Sequence, residues 1–564
     1  MAEYLSPGVY VEEYDNSPRS VEGVGTSTAG FIGMAERGPV VGVPQLVTNF
    51  KSFTQQYGGF LSEFAYGEYR FLANSVEQFF ANGGTRCFVM RVAPEDAVCA
   101  EAKQGILTVS AKNPGAWGNK LQVTLNTVKK QRLQLIAKSE TGYVAKSVDG
   151  FREGDLVVFE DTYTRIKTIF DRTITFENDI PEEAVDDSII PKALLYLVTV
   201  DMGVRYGDEA ETYTELSFNM SSPRYIGAKL NNSELVSVSV EPMEEAGNPV
   251  EAILGEGNES GAFFLDGGAD GSISKVNAMT FVGEDKGPGK RTGLQAFLEN
   301  NVVSMLAIPG ITIPEVLVAL VGHCENTRSR FAVIDMPGDM YKTEDLIEYR
   351  GIIDSTYAAM YHPWIQVFDR SSNKPDFIPP SGAVMGIYSR TDVNRGVHKA
   401  PANETVFCTG LKVNYTKGEQ DILNPAGVNL IRALPGQGIR VWGARTASSN
   451  AAFKYVNVRR LFIFVEESIK ANTNWVVFEP NDGSLWLRVQ LSISGFLDGL
   501  WRNGMLAGDT PETSYFVEIG PTTMSRDDIL NGRLICNIGI APSRPAEFVI
   551  FRLTQFTSEA GGGE

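Results

Sequence analysis

The sequence predicts an α/β and α+β multidomain protein: an α/β core split by a β-rich inserted domain, then a C-terminal α+β domain, with extended β-arms at both ends. Three observations carry this reading. Continuous apolar runs at 302–308 and 331–335 flank a helical pattern, the arrangement of a βαβ unit with buried parallel strands. Between about 100 and 260 the texture changes to short β-type runs separated by acidic turns. Each end of the chain carries one strand-like run with no second run beside it. A lone strand presents unpaired N–H and C=O groups, costly when buried and adhesive when exposed.

The N-terminal arm, residues 1–23, centres on Val9, Tyr10 and Val11 after Ser6-Pro7, and Pro18 sits in its connector. Residues 24–100 are the first part of the core. They hold a small-residue strand at 28–33, an amphipathic helix at 68–80 stopped by Asn82-Gly83-Gly84, and a strand at 87–92. The β-rich insertion is placed at 101–260, with runs at 156–159 and 195–200. The core resumes at 261–410, where a helix at 313–326 carries Pro314 in its first turn. Residues 411–520 mix strands at 440–442 and 475–478 with helices near 452–471 and 484–504. The C-terminal arm and tail take 521–564. Within them Val549, Phe551 and Leu553 fall on one strand face, interleaved with Phe548 and Ile550. Gly520 and Pro521 stand before this segment as a hinge.

Composition narrows the function. Fifty Lys and Arg against 69 Asp and Glu give a net charge of −19, which argues against a surface that wraps nucleic acid or docks on anionic membrane. Five scattered cysteines without C-x-x-C spacing indicate neither a disulfide framework nor a zinc site, and a reducing compartment fits. The first residues lack the basic and apolar regions of a signal peptide. The most apolar stretch, 302–321, is broken by Pro309, Pro314 and Glu315 and does not read as a membrane span.

Catalytic and ligand motifs fail when tested. The tract 283–293 superficially resembles a phosphate loop, but Arg291 follows Lys290 where Ser or Thr is needed, and Pro288 removes a backbone donor. His323, His362 and His398 are the only histidines, and His323 diverges from Cys324 by about 100° on a helix, so no metal set emerges. No G-x-S-x-G elbow is present. Asp335 and Asp369, at strand ends, are the remaining acid or base candidates, with loop capping as the commoner role. The expectation is no catalytic residue, no metal and no cofactor. A hydrolase built on the α/β core that also oligomerises stands as the alternative.

Seven tracts, taken together and in order, carry a family resemblance. They are Ser6-Pro7-Gly8-Val9-Tyr10-Val11-Glu12-Glu13, Asn113-Pro114-Gly115-Ala116-Trp117-Gly118-Asn119 and Gly396-Val397-His398-Lys399-Ala400-Pro401-Ala402-Asn403. The others are Val441-Trp442-Gly443-Ala444-Arg445-Thr446, Val458-Arg459-Arg460-Leu461, Val477-Phe478-Glu479-Pro480-Asn481 and Pro545-Ala546-Glu547-Phe548. With them the chain resembles the sheath protein of contractile phage tails and of related phage-tail-like injection systems. The acidic part between about 129 and 260 lies outside this likeness and looks like variable outer decoration.

The resemblance implies a structural role: hexameric rings stacked helically around an inner tube, with baseplate and tail-terminator proteins as further partners. It implies a subtilisin-like core without chemistry, and terminal arms that pair with a core strand of neighbouring copies. It also implies assembly in the bacterial cytoplasm into a virion tail or phage-tail-like particle, with no direct nucleic-acid or membrane contact. A C-terminal domain facing the tube makes Arg459, Arg460, Glu466, Glu467 and Lys470 candidate contacts; a solvated helix face or pairing within the chain is the competing reading.

Overall fold

Apolar runs buried on both faces make a largely parallel sheet, and the helices beside it follow from the same pattern. The computed structural model describes residues 21–178, 180, 194–242, 248–369 and 373–550. The chain divides into two units, passing between them at 31/32, 73/74, 88/89 and 299/300. The calls on Val9, Tyr10, Val11, Pro18, Phe551 and Leu553 lie outside the described residues.

The first unit takes residues up to 31, 74–88 and those from 300 onward. Its main sheet includes β1 (Ala29–Met34), β2 (Cys87–Val92), β3 (Met305–Ala307), β4 (Phe331–Asp335), β5 (Ala358–His362), β6 (Val428–Leu434) and β7 (Gly438–Val441). They are ordered β2-β1-β3-β4-β5-β6-β7, and β1 and β2 run on into the second unit. The four contacts from β1 through β6 are parallel, and β6–β7 closes as an antiparallel hairpin. Every residue of β1, β3, β4 and β5 is buried, as the unbroken apolar runs require of strands covered on both faces.

The helices of this unit are α1 (Leu72–Ala81), α2 (Pro314–Thr327), α3 (Thr343–Arg350), α4 (Ser381–Arg395), α5 (Lys417–Leu423), α6 (Val456–Asn472) and α7 (Gly483–Arg502). Pro314 occupies the first turn of α2, and Arg328 ends it in the left-handed conformation at φ 56°. Helix α4 approaches α1 backbone to backbone. A Cβ on Gly382 would stand 2.2 Å from the Ser75 carbonyl oxygen, and one on Gly386 2.4 Å from that of Phe79.

Helices α6 and α7 share an apolar core that includes Leu461, Val465, Leu485, Val489, Leu497 and Val517. Val517 belongs to β8 (Tyr515–Ile519), which pairs antiparallel with β9 (Cys536–Ile540). Two expectations are corrected here. Residues 475–478 are not a strand: the 3-10 turn Asn474–Val476 leads through Val477 to a fully exposed Phe478 at φ 68°. Residues 521–540 are not arm: they form the folded connection and second strand of the β8–β9 hairpin.

The second unit comprises 32–73 and 89–299. Strands Leu194–Tyr206, Leu156–Phe159, Thr162–Phe170, Thr173–Phe176, Gly142–Ala145 and Gln122–Ser139 pair in that order, and the last pairs back with the first. This closed ring surrounds Leu133, Leu135, Val157, Ile166, Ile174 and Leu195. Closure leaves these six strands without free edges. A second core gathers Trp117, Leu121, Leu125, Val200 and Met202.

The α1–α4 approach predicts that Gly386→Val costs about 3 kcal/mol, since backbone rather than a movable side chain faces the new atoms. Urea unfolding of the purified variant checks this, against Gly418→Ala on open surface as a near-neutral control.

Candidate assembly site at the roots of the terminal segments

Two segments enter and leave the first unit beside the same helix. At the N-terminal side, Val21 is buried and the chain then runs along α6. Asn472 Nδ2 donates to the Glu22 carbonyl (2.9 Å), and the Val24 amide donates to Ser468 Oγ (3.1 Å). Gly23 lies so close to the Phe464 ring that a Cβ there would stand 2.8 Å from it. Arg460 donates to the Thr26 carbonyl (3.0 Å) and forms a two-point ion pair with Asp392 of α4, at 2.9 and 2.5 Å. Thr26 Oγ1 completes the network by donating to Asp392 (2.7 Å). Both side chains of the ion pair are 3 % exposed.

At the C-terminal side, the chain leaving β9 is held residue by residue. The Ala541 amide donates to the Ser514 carbonyl and the Ala507 amide to that of Ala541, both at 2.8 Å. Asn457 Nδ2, in the first turn of α6, bridges the carbonyls of His398 (2.7 Å) and Ser543 (3.2 Å). The last fixed point is Glu547. Arg445 donates to both carboxylate oxygens at 2.8 Å, Asn424 Nδ2 to one at 2.8 Å, and the Tyr455 hydroxyl to the other at 2.9 Å. Lys454 stands 3.6 Å away. Burial opposes the charged form, but the hydrogen bonds from Arg445, Asn424 and Tyr455 outweigh it and hold the carboxyl down at about 2.

Arg445 is itself braced by the sheet. Its amide donates to Asn429 Oδ1 and its carbonyl accepts from Asn429 Nδ2, both at 2.7 Å, while that amide group also reaches the Met360 carbonyl of β5 (3.1 Å). Residues 545–549 form one wall of a groove of about 990 Å³, which His398, Lys399, Lys417, Arg432 and Trp442 also line. Beyond Glu547, Phe548, Val549 and Ile550 are 72, 69 and 78 % exposed and belong to no strand. Nearby in sequence, the β8–β9 sheet has only two strands, so among the described residues neither outer edge has a strand neighbour.

Several expected site residues land elsewhere. Gly520 and Pro521 are not a hinge before the arm. Gly520 begins a closed turn, its carbonyl accepting from the amides of Thr523 and Met524, and the departure point lies instead at Glu547. Arg459 and Arg460 are turned inward, which corrects their candidacy as contacts to another chain. Arg460 is consumed by Asp392, and the Arg459 guanidinium lies 3.6 Å from the Phe453 ring centre and 4.4 Å from that of Tyr357. Glu466 and Lys470 face outward, with Glu467 paired to Lys470 at 3.2 Å. Sequence reasoning did not single out Arg445, Glu547, Tyr455, Asn457 or Asp392. The available signal was the opposite charge in two of the seven tracts, 441–446 and 545–548, which the fold brings together.

The candidates of the hydrolase alternative are engaged in structural contacts. Asp335, buried and pushed up to about 6 by that burial, accepts from the amides of Gly310 and Ser381 and from Ser381 Oγ, capping the start of α4. His323 contacts Arg330 and His362 contacts Tyr415; among the described residues no histidine hydrogen-bonds a serine. Asp369 closes the strand Ile365–Asp369. Among the described residues no group of three or more His, Cys, Asp or Glu is placed to hold a metal ion, and no helix is long and apolar enough to cross a membrane.

Comparison with known proteins finds sheath proteins of contractile systems. Residues 285–447 match the phage tail sheath protein central domain and 448–556 the phage tail sheath C-terminal domain. The tail sheath protein of Escherichia phage P2 is 25 % identical over 302 residues, 51 % of this chain and 74 % of that protein. A protein of Pseudomonas aeruginosa (strain UCBPP-PA14), described as a prophage major tail sheath protein, is 26 % identical over 50 % of this chain and 73 % of its own length. Among solved structures, the sheath of the extracellular contractile injection system PVC in its contracted state aligns over 99 % of both chains, with TM-score 0.53 and 21 % identity. The contracted helical sheath of the anti-feeding prophage aligns over 98 % of this chain and 99 % of its own, with TM-score 0.52 and 21 % identity. These relatives and neighbours are structural sheath proteins, not enzymes.

The Glu547 clamp has a defined pH signature. Its folded value is depressed below the usual 4.5, so its stabilisation is complete above about pH 4.5 and is lost as pH falls through about 2. Glu547→Gln is expected to cost about 1–2 kcal/mol after allowance for partial exposure. In urea unfolding the gap to wild type should hold from neutral pH down to about 5 and narrow only below it. A gap that has vanished by about pH 5 contradicts the clamp.

Proposed function

Because the chain belongs to the contractile tail sheath family, we propose that its copies polymerise into hexameric rings stacked helically around an inner tube. Contraction of that cylinder drives the tube through a target envelope. The chain is a structural protein, as its relatives are, and not an enzyme. On this reading the subunit assembles in the bacterial cytoplasm in a high-energy extended state, held by baseplate, terminator and tube, and ends in a virion tail or tail-like particle. The parallel sheet of β1 and β3–β6 fits the subtilisin-like core of the family, kept for shape and not for chemistry.

The observation that carries the proposal is the exit of Phe548-Val549-Ile550 from the Glu547 clamp, apolar, exposed and without a strand partner. Exposed apolar backbone of this kind gains most by adding to a sheet edge of another chain. The β8–β9 hairpin supplies two such edges while its inner face stays fixed on α7. A ten-residue arm spans on the order of 33 Å when extended, enough to reach an adjacent copy. The switch is then a set of bistable interfaces biased at the baseplate, with arm pairing preserved while the rings rotate.

Truncation after Glu547 leaves the clamp in place and removes the pairing segment. It should give folded, soluble subunits and no long tubes in negative-stain electron microscopy; striated tubes of normal length would reject strand exchange. For the tube, Glu466 and Lys470 remain the outward-facing candidates. Their combined charge reversal is expected to lower recovery of tube protein with purified sheath, while sheath length stays normal.

A further inference from the structure

The second unit carries a knob and a groove that do not meet within one chain. The knob is the turn between strands Thr162–Phe170 and Thr173–Phe176 of the closed ring of strands. Phe170 and Thr173 face each other across it, which leaves Asp171 and Arg172 as a two-residue loop, with Asp171 in the left-handed conformation at φ 53°. Phe170 is 84 % exposed. Lys167 and Arg172 beside it make no ion pair among the described residues. Asp171 is the one acid in the loop, and the nearby Glu153 carboxylate accepts from the Ile169 amide (3.0 Å). A phenyl group held in water by a tight turn gains by burial against another surface.

The groove has a volume of about 970 Å³ and runs between segments around Arg37, Gln55, Asn113, Glu209 and Glu234. Buried arginines fix its walls. Arg37 donates to both carboxylate oxygens of Glu209 (2.8 and 2.6 Å) and to the Gln55 carbonyl. Arg91 donates to the carbonyls of Gly38 (3.1 Å) and Pro114 (2.8 Å). Pro39, Val40, Val41 and Leu235 give the groove an apolar side, and Val41 is half exposed.

The charge left in the groove is negative. Arg37 is spent on Glu209, and Lys112 Nζ donates to the Asn231 carbonyl (3.1 Å). Glu211 accepts from Ser233 Oγ (2.6 Å), from the Tyr213 hydroxyl (2.9 Å) and from the Glu234 amide (3.0 Å). Among the described residues neither Glu211 nor Glu234 has an ion-pair partner.

We propose that the Phe170 hairpin of one copy docks in this groove of another copy. The phenyl group packs on Val40, Val41 and Leu235, and Lys167 and Arg172 meet Glu211 and Glu234. The proposal rests on the reading that copies polymerise, and it adds a contact made by the second unit alone. One chain does not satisfy itself: Tyr196 pairs with Val158 inside the closed ring of strands, whereas Tyr206 lies 4.7 Å under the Arg37 guanidinium at the groove. Ten residues of strand separate the two, on the order of 33 Å. Knob and groove are different patches of one surface, so their contact is heterologous, the kind that continues from copy to copy instead of closing as a pair. Opposite charge sets its register.

The test places the photo-crosslinking amino acid benzoylphenylalanine at position 170 of the full-length chain. That chain is mixed with isotope-labelled, otherwise unmodified chain before assembly, and cross-linked peptides are mapped by mass spectrometry. Links that join an unlabelled chain to a labelled one at residues lining the groove are the expected result. Links at other sites of a second copy, links within one chain, or no link in assembled sheath overturn the proposal. Lys167→Glu combined with Arg172→Glu should lower the yield of the groove link about tenfold, with circular dichroism unchanged. Glu234→Lys in the labelled copy should then restore part of it. An unchanged yield with the reversed hairpin overturns the proposal. Tubes that form with the link elsewhere reject the knob alone, whereas native chain that forms no tubes rejects polymerisation.

Discussion

The arrangement of the C-terminal half depends on the buried pair of Arg460 and Asp392. Two opposite charges at 3 % exposure are unfavourable to bury unless both are paired and their remaining donors and acceptors are used. Here they are: Arg460 gives two hydrogen bonds to Asp392 and one to the Thr26 carbonyl, its plane lies over Tyr388, and Asp392 also accepts from Thr26. One pair thus ties α4, α6 and the incoming N-terminal segment in a single geometry. Lysine could not replace the arginine, because a point charge lacks the planar fork that serves all these acceptors at once.

The same logic governs the exit of the chain. Glu547 is surrounded by donors from three places, the Arg445 loop after β7, Asn424 beyond α5, and Tyr455 before α6. Paired carboxylates and guanidinia stabilise modestly, yet they specify direction well because the bonds are short and two-point. Asn429, fully buried in β6, carries that direction into the sheet through reciprocal bonds with Arg445. The polar groups here make one connected network, and its function is positional.

The second unit follows a different pattern. Six of its strands close into a ring, so their backbone groups are satisfied within the chain and the edges that would invite pairing disappear. Open strand edges are found at β8 and β9, and exposed apolar residues at 548–550, while in the second unit the strands Glu209–Leu216 and Ser260–Phe264, each added to the ring on one side, also end their sheet.

Local patterns were legible because they follow from short-range rules. Strands at 87–92, 156–159 and 331–335 and a helix from Pro314 are read from apolar periodicity and first-turn proline, and the structure has them. The tract at 475–478 misled because Trp475, Val476, Val477 and Phe478 are all β-type residues, while the chain there must turn into α7 and leaves Phe478 outside. Gly520-Pro521 looked like a hinge because glycine and proline punctuate turns, and a turn it is, but one closed inside a hairpin. The sequence by itself determined the classes of element, the absence of a familiar catalytic motif and the family likeness. Only the tertiary structure decided that Arg445 meets Glu547 and that Arg460 faces inward. Those pairings join residues about a hundred and about seventy positions apart. Hydrophobic periodicity says which face of an element is buried, but it does not say which distant element covers it.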